Sequence, residues 1–272
     1  MAMRANSGKR SPNDGIIFKK LSKDRISNLP ESIRSLILSF LPTVDAVTTC
    51  VLSSKWRNLW TTISSISMDD SHPPFRCRTV EQNSLSNMKF ARFANRVLLF
   101  HNLQSLKKFS LSCNVDSILY DVQGWISTAV FKNVQELDLS IHSGFPVQLP
   151  NNLFTCKTLE KLRLHGSILV ETPTNISLPI LRTLKLEAVE YEDDECPKKI
   201  VSSCPCLKSL AIRRGHNDNV GTFAVSSASL RDLDISKGHL DESTIIKFEI
   251  NAPNVPCIII RGTTFKNLKL EF

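Results

Sequence analysis

Glycine is scarce, at nine among 272 residues, and none of the nine belongs to a glycine-rich loop of the kind that cradles phosphate. Long apolar runs are also missing. No stretch approaches the roughly 20 residues that cross a bilayer, and the first fifteen residues are polar rather than leader-like. The expectation is a soluble intracellular chain with no membrane association. Its eight cysteines, Cys50, Cys77, Cys113, Cys156, Cys196, Cys204, Cys206 and Cys257, then stand as thiols, because such compartments are reducing. They include no C-x2-4-C pair. The nearest approach to a zinc set is Cys196, Cys204, Cys206 and His216, spaced C-x7-C-x-C-x9-H, which departs from structural zinc sites. We read these cysteines as small apolar fillers and expect neither metal nor cofactor. The six histidines fall in no Ser-His-Asp or Cys-His grouping. The acidic run Glu190 to Glu195 lacks the glycine and alternating ligands of a calcium loop and reads as a solvated outer loop. No catalytic constellation is present, so an enzyme is not expected.

Charge of one sign is in excess overall, +8, but not where a nucleic-acid surface would need it. Residues 1–68 hold ten Lys/Arg against four Asp/Glu, whereas residues 69–272 hold twenty-four against twenty-two. A binding surface on the larger part would concentrate the excess there. Nucleic-acid binding is therefore a minor alternative. The surplus includes Lys9, Arg10, Lys19, Lys20, Lys23 and Arg25, a pattern shared by nuclear-import signals and solvated tails, so nucleus and cytoplasm are both open.

What is present begins at residue 24. Three short segments carry one apolar spacing: Ile33, Leu36, Ile37, Phe40; then Val44, Val47, Thr48, Val51; then Trp56, Leu59, Trp60, Ile63. At 3.6 residues per turn, each spacing predicts a helix with one apolar stripe, and the three stripes can share a core. Pro30 suits a first turn with Asn28 or Ser27 as cap, and Thr43 suits the cap after Pro42. About forty residues bury too little surface to stand alone, so some apolar residues should await a partner.

The run DRISNLPESIRSLILSFLPTVDAVTTCVLSSKWRNLWTTI resembles the F-box of plant F-box proteins: LP, then ILSFLP, then Asp-Ala-Val, then the Trp-Arg and Leu-Trp close. Val44 stands where relatives often carry lysine. The resemblance implies docking onto the Skp-type adaptor of an SCF ubiquitin ligase, and through it a cullin. The implied contacts are Leu29, Pro30, Ile33, Ile37, Leu41, Pro42, Val51 and Trp56, some of which must also pack the module internally.

A repeat follows. L-x-x-L-x-L or a close variant begins at Leu106, Val134, Leu159, Leu181, Leu207, Leu230 and Val255, at spacings of 28, 25, 22, 26, 23 and 25 residues. This period is that of leucine-rich repeats. The second and third apolar residues of each unit point inward from a short strand, and successive strands stack in parallel. Leu268-Lys-Leu270 adds a last strand-like piece. Asp121, with Val122, Trp125, Ile126, Ala129 and Val130, predicts one returning helix capped by Asp121. The phrases LPNNLFTCKTLEKLRL, LKLEAVEYEDDECPKKIVSSCPCLKSLAI and DNVGTFAVSSASLRDLDIS resemble plant F-box proteins with leucine-rich repeats, which often end in an FBD segment. By that resemblance the chain is a short or truncated member.

The expected fold is α/β: a small three-helix F-box module followed by an irregular leucine-rich-repeat solenoid with a parallel concave sheet. Residues 1–20 read as a disordered basic tail, 21–66 as the module, 67–104 as a linker and capping helix, and 105–272 as repeats. Within 67–104, residues 67–83 read as a connection, and the stripe Phe90, Phe93, Ala94, Val97, Leu98 and His101 as a helix covering the end of the stack. Side chains between the repeat leucines form the default ligand surface. Its cationic members Lys161, Arg163, His165, Lys185 and Arg213 suit an acidic peptide or phosphate, although Glu136 beside Lys161 and Asp138 beside Arg163 can neutralise two of them. The implied function is a non-catalytic substrate receptor of an SCF ligase with an unknown target protein. The alternative is a scaffold outside any ligase, using the repeats alone.

Overall fold

The spacing of the repeat leucines dictates a stack of parallel strands, and the chain builds one. The computed structural model describes residues 24–76, 83–115, 118–171, 173, 175–215, 219–237, 247–256, 258–261 and 267–271. Helices α1 (Glu31–Ser39) and α2 (Thr43–Thr48) open the chain, followed by 3-10 turns at Thr49–Val51 and Leu59–Thr62. Strand β1 (Ser65–Asp69) comes next, then α3 (Asn83–Phe100), β2 (Lys108–Asn114), α4 (Leu119–Phe131) and β3 (Glu136–His142). Beyond these lie β4 (Val147–Gln148), β5 (Lys161–Gly166), β6 (Ile168–Val170), β7 (Thr183–Glu187), β8 (Glu190–Tyr191) and α5 (Cys196–Ser202). The last part holds β9 (Ser209–Arg214), β10 (Thr222–Ser226), β11 (Asp232–Lys237), β12 (Lys247–Asn251), β13 (Ile258–Arg261) and β14 (Asn267–Glu271).

Eight of these strands form one parallel sheet in the order β1-β2-β3-β5-β7-β9-β11-β13. Its register places leucine beside leucine: Phe109, Leu137, Leu162, Leu184 and Leu210 form one row, and Leu111, Leu139, Leu164, Leu186 and Ile212 the next. All ten are buried in one continuous core. Two three-stranded sheets, β4-β6-β8 and β10-β12-β14, form behind it and contribute Ile168, Val170, Phe223, Val225, Phe248 and Ile250 to the same core.

Three expectations are corrected. Residues 65–69, read as the end of the module and the start of the connection at 67–83, are a strand. They pair in parallel with β2, Ile66 opposite Phe109 and Met68 opposite Leu111, so the sheet starts one strand earlier than the repeat motif. α3 therefore carries the crossover between two parallel strands and serves as the returning helix of a first repeat rather than as a helix covering the end of the stack. Its expected stripe holds: Phe90, Ala94, Val97, Leu98 and His101 are buried and Phe93 packs partly against the core. The third segment of the module is not an α-helix; only the four-residue 3-10 turn at Leu59–Thr62 forms there. Trp56, Leu59 and Ile63 are nonetheless buried together.

Capping also differs. Pro30 and Pro42 occupy the N-cap positions of α1 and α2, without a side-chain cap. The Thr43 hydroxyl instead accepts the backbone N–H of Ser67 in β1 at 2.8 Å. Asp121 lies in the first turn of α4, whose N-cap is Ile118, and accepts a hydrogen bond from Asn95 Nδ2 at 3.0 Å. In the acidic run, Tyr191 is buried, and Asp193 Oδ1 accepts the N–H groups of Glu195 and Cys196 at the start of α5. The run is therefore partly structural rather than purely solvated. Gly166 has φ of 93°, and a Cβ there would lie 2.2 Å from the Ile141 carbonyl oxygen. Only glycine fits that turn between β5 and β6.

Candidate functional site: an outward apolar face and a charged concave face

The first site grows out of a small core. Leu38, Ala46, Trp56, Leu59 and Ile63 form a cluster separate from that of the repeats. Trp56 Nε1 donates to Ser27 Oγ at 2.8 Å, and the Arg34 guanidinium lies 5.8 Å from the centre of the Trp56 ring. Arg34 Nε donates to the Leu29 carbonyl at 3.1 Å, and its Nη1 bonds the Lys55 carbonyl. The buried side of α1 is thus Arg34 and Leu38.

The apolar stripe of α1 consequently faces outward. Ile33, Leu36, Ile37 and Phe40 are exposed, together with Ile26, Leu41, Val51 and Leu52; Phe40 is 79% and Val51 83% exposed. The stripe was expected to share the internal core, and the buried arginine is why it does not. Arg34 and Leu38, four residues apart on one face, are held from inside by the indole and two carbonyls. Of the residues implied for adaptor contact, Pro30, Ile33, Ile37, Leu41, Pro42 and Val51 lie on the surface and Leu29 is half-buried. Trp56 lies within the core, 3% exposed. It supports the face without being part of it. Leu36, Phe40, Leu52 and Ile26 belong to the exposed set and were absent from the implied contacts, although Leu36 and Phe40 were legible in the same i, i+3, i+4, i+7 spacing.

This module is tied to the repeats. Val44 is buried in the repeat core rather than in the module's own cluster, which explains valine where a charged residue would be stranded. His101 Nε2 bonds the Ile63 carbonyl at 2.7 Å, the Asn102 N–H donates to Thr61 O, and the N–H groups of Lys107 and Lys108 both donate to Ser64 O.

The second site is the outer face of the eight-stranded sheet. Lys161 Nζ meets Glu136 Oε1 at 2.8 Å, and Arg163 bridges Asp138 at 3.8 Å and Glu187 at 3.1 Å. These hydrogen bonds raise the pKa values of Lys161 and Arg163. His165 is half-buried and bonded to Ser140 Oγ at 2.9 Å; desolvation lowers its pKa, so it is neutral at neutral pH. The expected cationic row is therefore largely neutralised. Lys185 and Arg213 are exposed and have no ion-pair or hydrogen-bond partner among the described residues. Lys185 lines an open concavity together with Lys108, Asp138, Arg163, Thr183 and Glu187, and Arg213 lies outside that lining.

Cys196 and Cys204 are buried and Cys206 is exposed; burial pushes the Cys204 thiol up to about 12. Among the described residues no group of metal-ligating side chains converges. His216, Cys77, Cys257, the tail at 1–20 and Lys23 lie outside the described residues. No helix among the described residues is long and apolar enough to cross a membrane.

Comparison with known proteins agrees with this two-part construction. A model of the F-box domain matches residues 26–67, and a model described as the LRR repeats of FBD-associated F-box protein At5g56370 matches residues 122–267. F-box/LRR-repeat protein At3g26922 of Arabidopsis thaliana is 34% identical over 252 residues, covering 92% of this chain and 78% of the relative. F-box/FBD/LRR-repeat protein At5g56420 of the same plant is 35% identical over 220 residues, covering 79% of this chain and 49% of the relative. The chain spans about half the length of that relative and of the similar At4g00315 protein. An F-box fused without a break to a parallel repeat sheet, and relatives with that same pairing, place this chain in the plant F-box/LRR-repeat family.

Proposed function

We propose that the chain is a non-catalytic substrate receptor of an SCF-type ubiquitin ligase, its F-box docked on a Skp-type adaptor that joins it to a cullin. The observation that carries this reading is the outward apolar face, eight large apolar side chains between Ile26 and Leu52. A patch of that kind on a small module is an interface in waiting. The adaptor would cover Ile33, Leu36, Ile37, Phe40, Val51 and Leu52, and ubiquitin transfer would follow from proximity alone. The target would lie on the concave face, its acidic group reaching Lys185 and Arg213, two cations of that face without an ion pair among the described residues.

Phe40→Asp with Val51→Asp should abolish co-purification with the adaptor while leaving the melting temperature of the chain unchanged, because both side chains already face solvent. Co-purification that survives the double change would sink the docking assignment. Recovery of adaptor without cullin would favour the scaffold alternative. Lys185→Glu with Arg213→Glu should lower target ubiquitination while adaptor binding stays intact.

A further inference from the structure

Away from the F-box and the concave face, helix α3 combines exposed apolar side chains with charge of one sign. Residues 82–115 contain Lys89, Arg92, Arg96, Lys107 and Lys108 and no aspartate or glutamate. Helix α3 turns Phe90, Ala94, Val97 and Leu98 into the core, which fixes the rest of its circumference toward solvent. On that outer side lie Leu85, Met88, Lys89, Arg92, Arg96, Leu99 and Phe100, all exposed. At 3.6 residues per turn they fall within about 120° of the helix. None of the three cations has an ion-pair partner among the described residues.

The neighbouring helix extends the surface. α4 is held against α3 by Asn95, which donates to Asp121 Oδ1 at 3.0 Å and accepts from Trp125 Nε1 at 2.7 Å. The C-terminal ends of the two helices are joined by Lys132, whose Nζ bonds the carbonyls of His101 at 2.9 Å and Leu103 at 3.2 Å. Leu99 and Phe131, close to these joined ends of their helices, are 76% and 77% exposed.

We propose that the outer face of α3, with Phe131 of α4, docks an acidic amphipathic segment of a partner protein, apolar side chains on Leu85, Met88, Leu99 and Phe131 and carboxylates on Lys89, Arg92 and Arg96. The intermixing of the two chemistries decides the class. A nucleic-acid backbone would neutralise the arginines but leave the leucines and methionine without apolar partners. A membrane surface would accept apolar side chains on one side of a helix and cations on its flanks. Here Arg92 and Arg96 sit in the middle of the apolar sector, and the buried opposite face prevents the helix from rolling to lift them out. A peptide presenting both leucine and glutamate matches both.

The test uses the full chain and a fluorescent helical peptide with a Leu/Phe stripe bordered by glutamates, alongside its counterpart with lysines for the glutamates. The glutamate peptide is expected to bind. Arg92→Glu with Arg96→Glu should weaken it by about tenfold or more and improve binding of the lysine peptide. Leu99→Ala with Phe131→Ala should weaken it comparably, with unchanged circular dichroism. Absence of glutamate-peptide binding, or binding that neither pair of substitutions alters, overturns the proposal. So does a stronger response of the same variants to vesicles containing phosphatidylserine or to a random oligonucleotide, which would assign the face to a lipid surface or to nucleic acid instead.

Discussion

Trp56 illustrates how much one residue carries in a module with a five-residue core. Its indole fills the cluster, donates to Ser27 and lies beside the Arg34 guanidinium. Trp56→Ala should cost about 3–5 kcal/mol and, on the proposed function, lose adaptor binding through loss of the module's shape. Trp56→Phe should retain much of the packing and lose the hydrogen bond, about 1 kcal/mol; chemical denaturation of the two variants checks the order. His101 gives a pH signature. Burial, its leading cause, lowers its pKa from 6.5, so the unfolded chain takes up the proton first. This contribution to stability is complete above pH 6.5 and is lost as pH falls from there through the lowered value. His101→Gln should flatten that part of the stability-versus-pH curve.

At the scale of elements, the junction between module and sheet rests on α2 and β1. Thr43 is buried, and its hydroxyl accepts the Ser67 N–H. Thr43→Val keeps the shape and removes the acceptor, at a cost of about 1 kcal/mol. Hydrogen exchange at Ser67 should accelerate while exchange in β7 stays unchanged. The helical periodicity of residues 31–40 was legible, and so was the apolar stripe; which way the stripe faced was not. Hydropathy ranks Arg34 as a surface residue, and only the carbonyls of Leu29 and Lys55 and the ring of Trp56, up to 22 residues distant in sequence, turn it inward. Strands β10 and β12 were missed for another reason. Thr222–Ser226 and Lys247–Asn251 alternate with a period of two, but they lie in the variable part of each repeat, where the eye follows the leucines.

At the scale of the molecule, one core runs from Val44 to Val255, and each strand pairs only with its neighbours. Stability in such a stack is approximately a sum of repeat and interface terms. Leu184→Ala, fully buried in the middle strand, should cost about 2–5 kcal/mol. It should also split the single unfolding transition into two steps, seen as non-coincident fluorescence and circular-dichroism melts. A transition that stays single would show tighter coupling between the two halves.

The order of residues alone determined the repeat period and the parallel sheet, because both rest on local apolar spacing that the repeat core buries, and its motif residues carried the resemblance to the family. Tertiary structure decided the rest. It recruited Ser65–Asp69 as a first strand through pairing with β2, where no leucine motif marks it. It brought the anticipated carboxylates of Glu136 and Asp138 within reach of Lys161 and Arg163 and added Glu187, which no pairing in the sequence had named, at 3.1 Å from Arg163. It left Lys185, between Arg163 and Ala211, and Arg213, opposite a Glu187 already held by Arg163, outside those pairs, because charge on a strand acquires meaning only from what the neighbouring strand places opposite it.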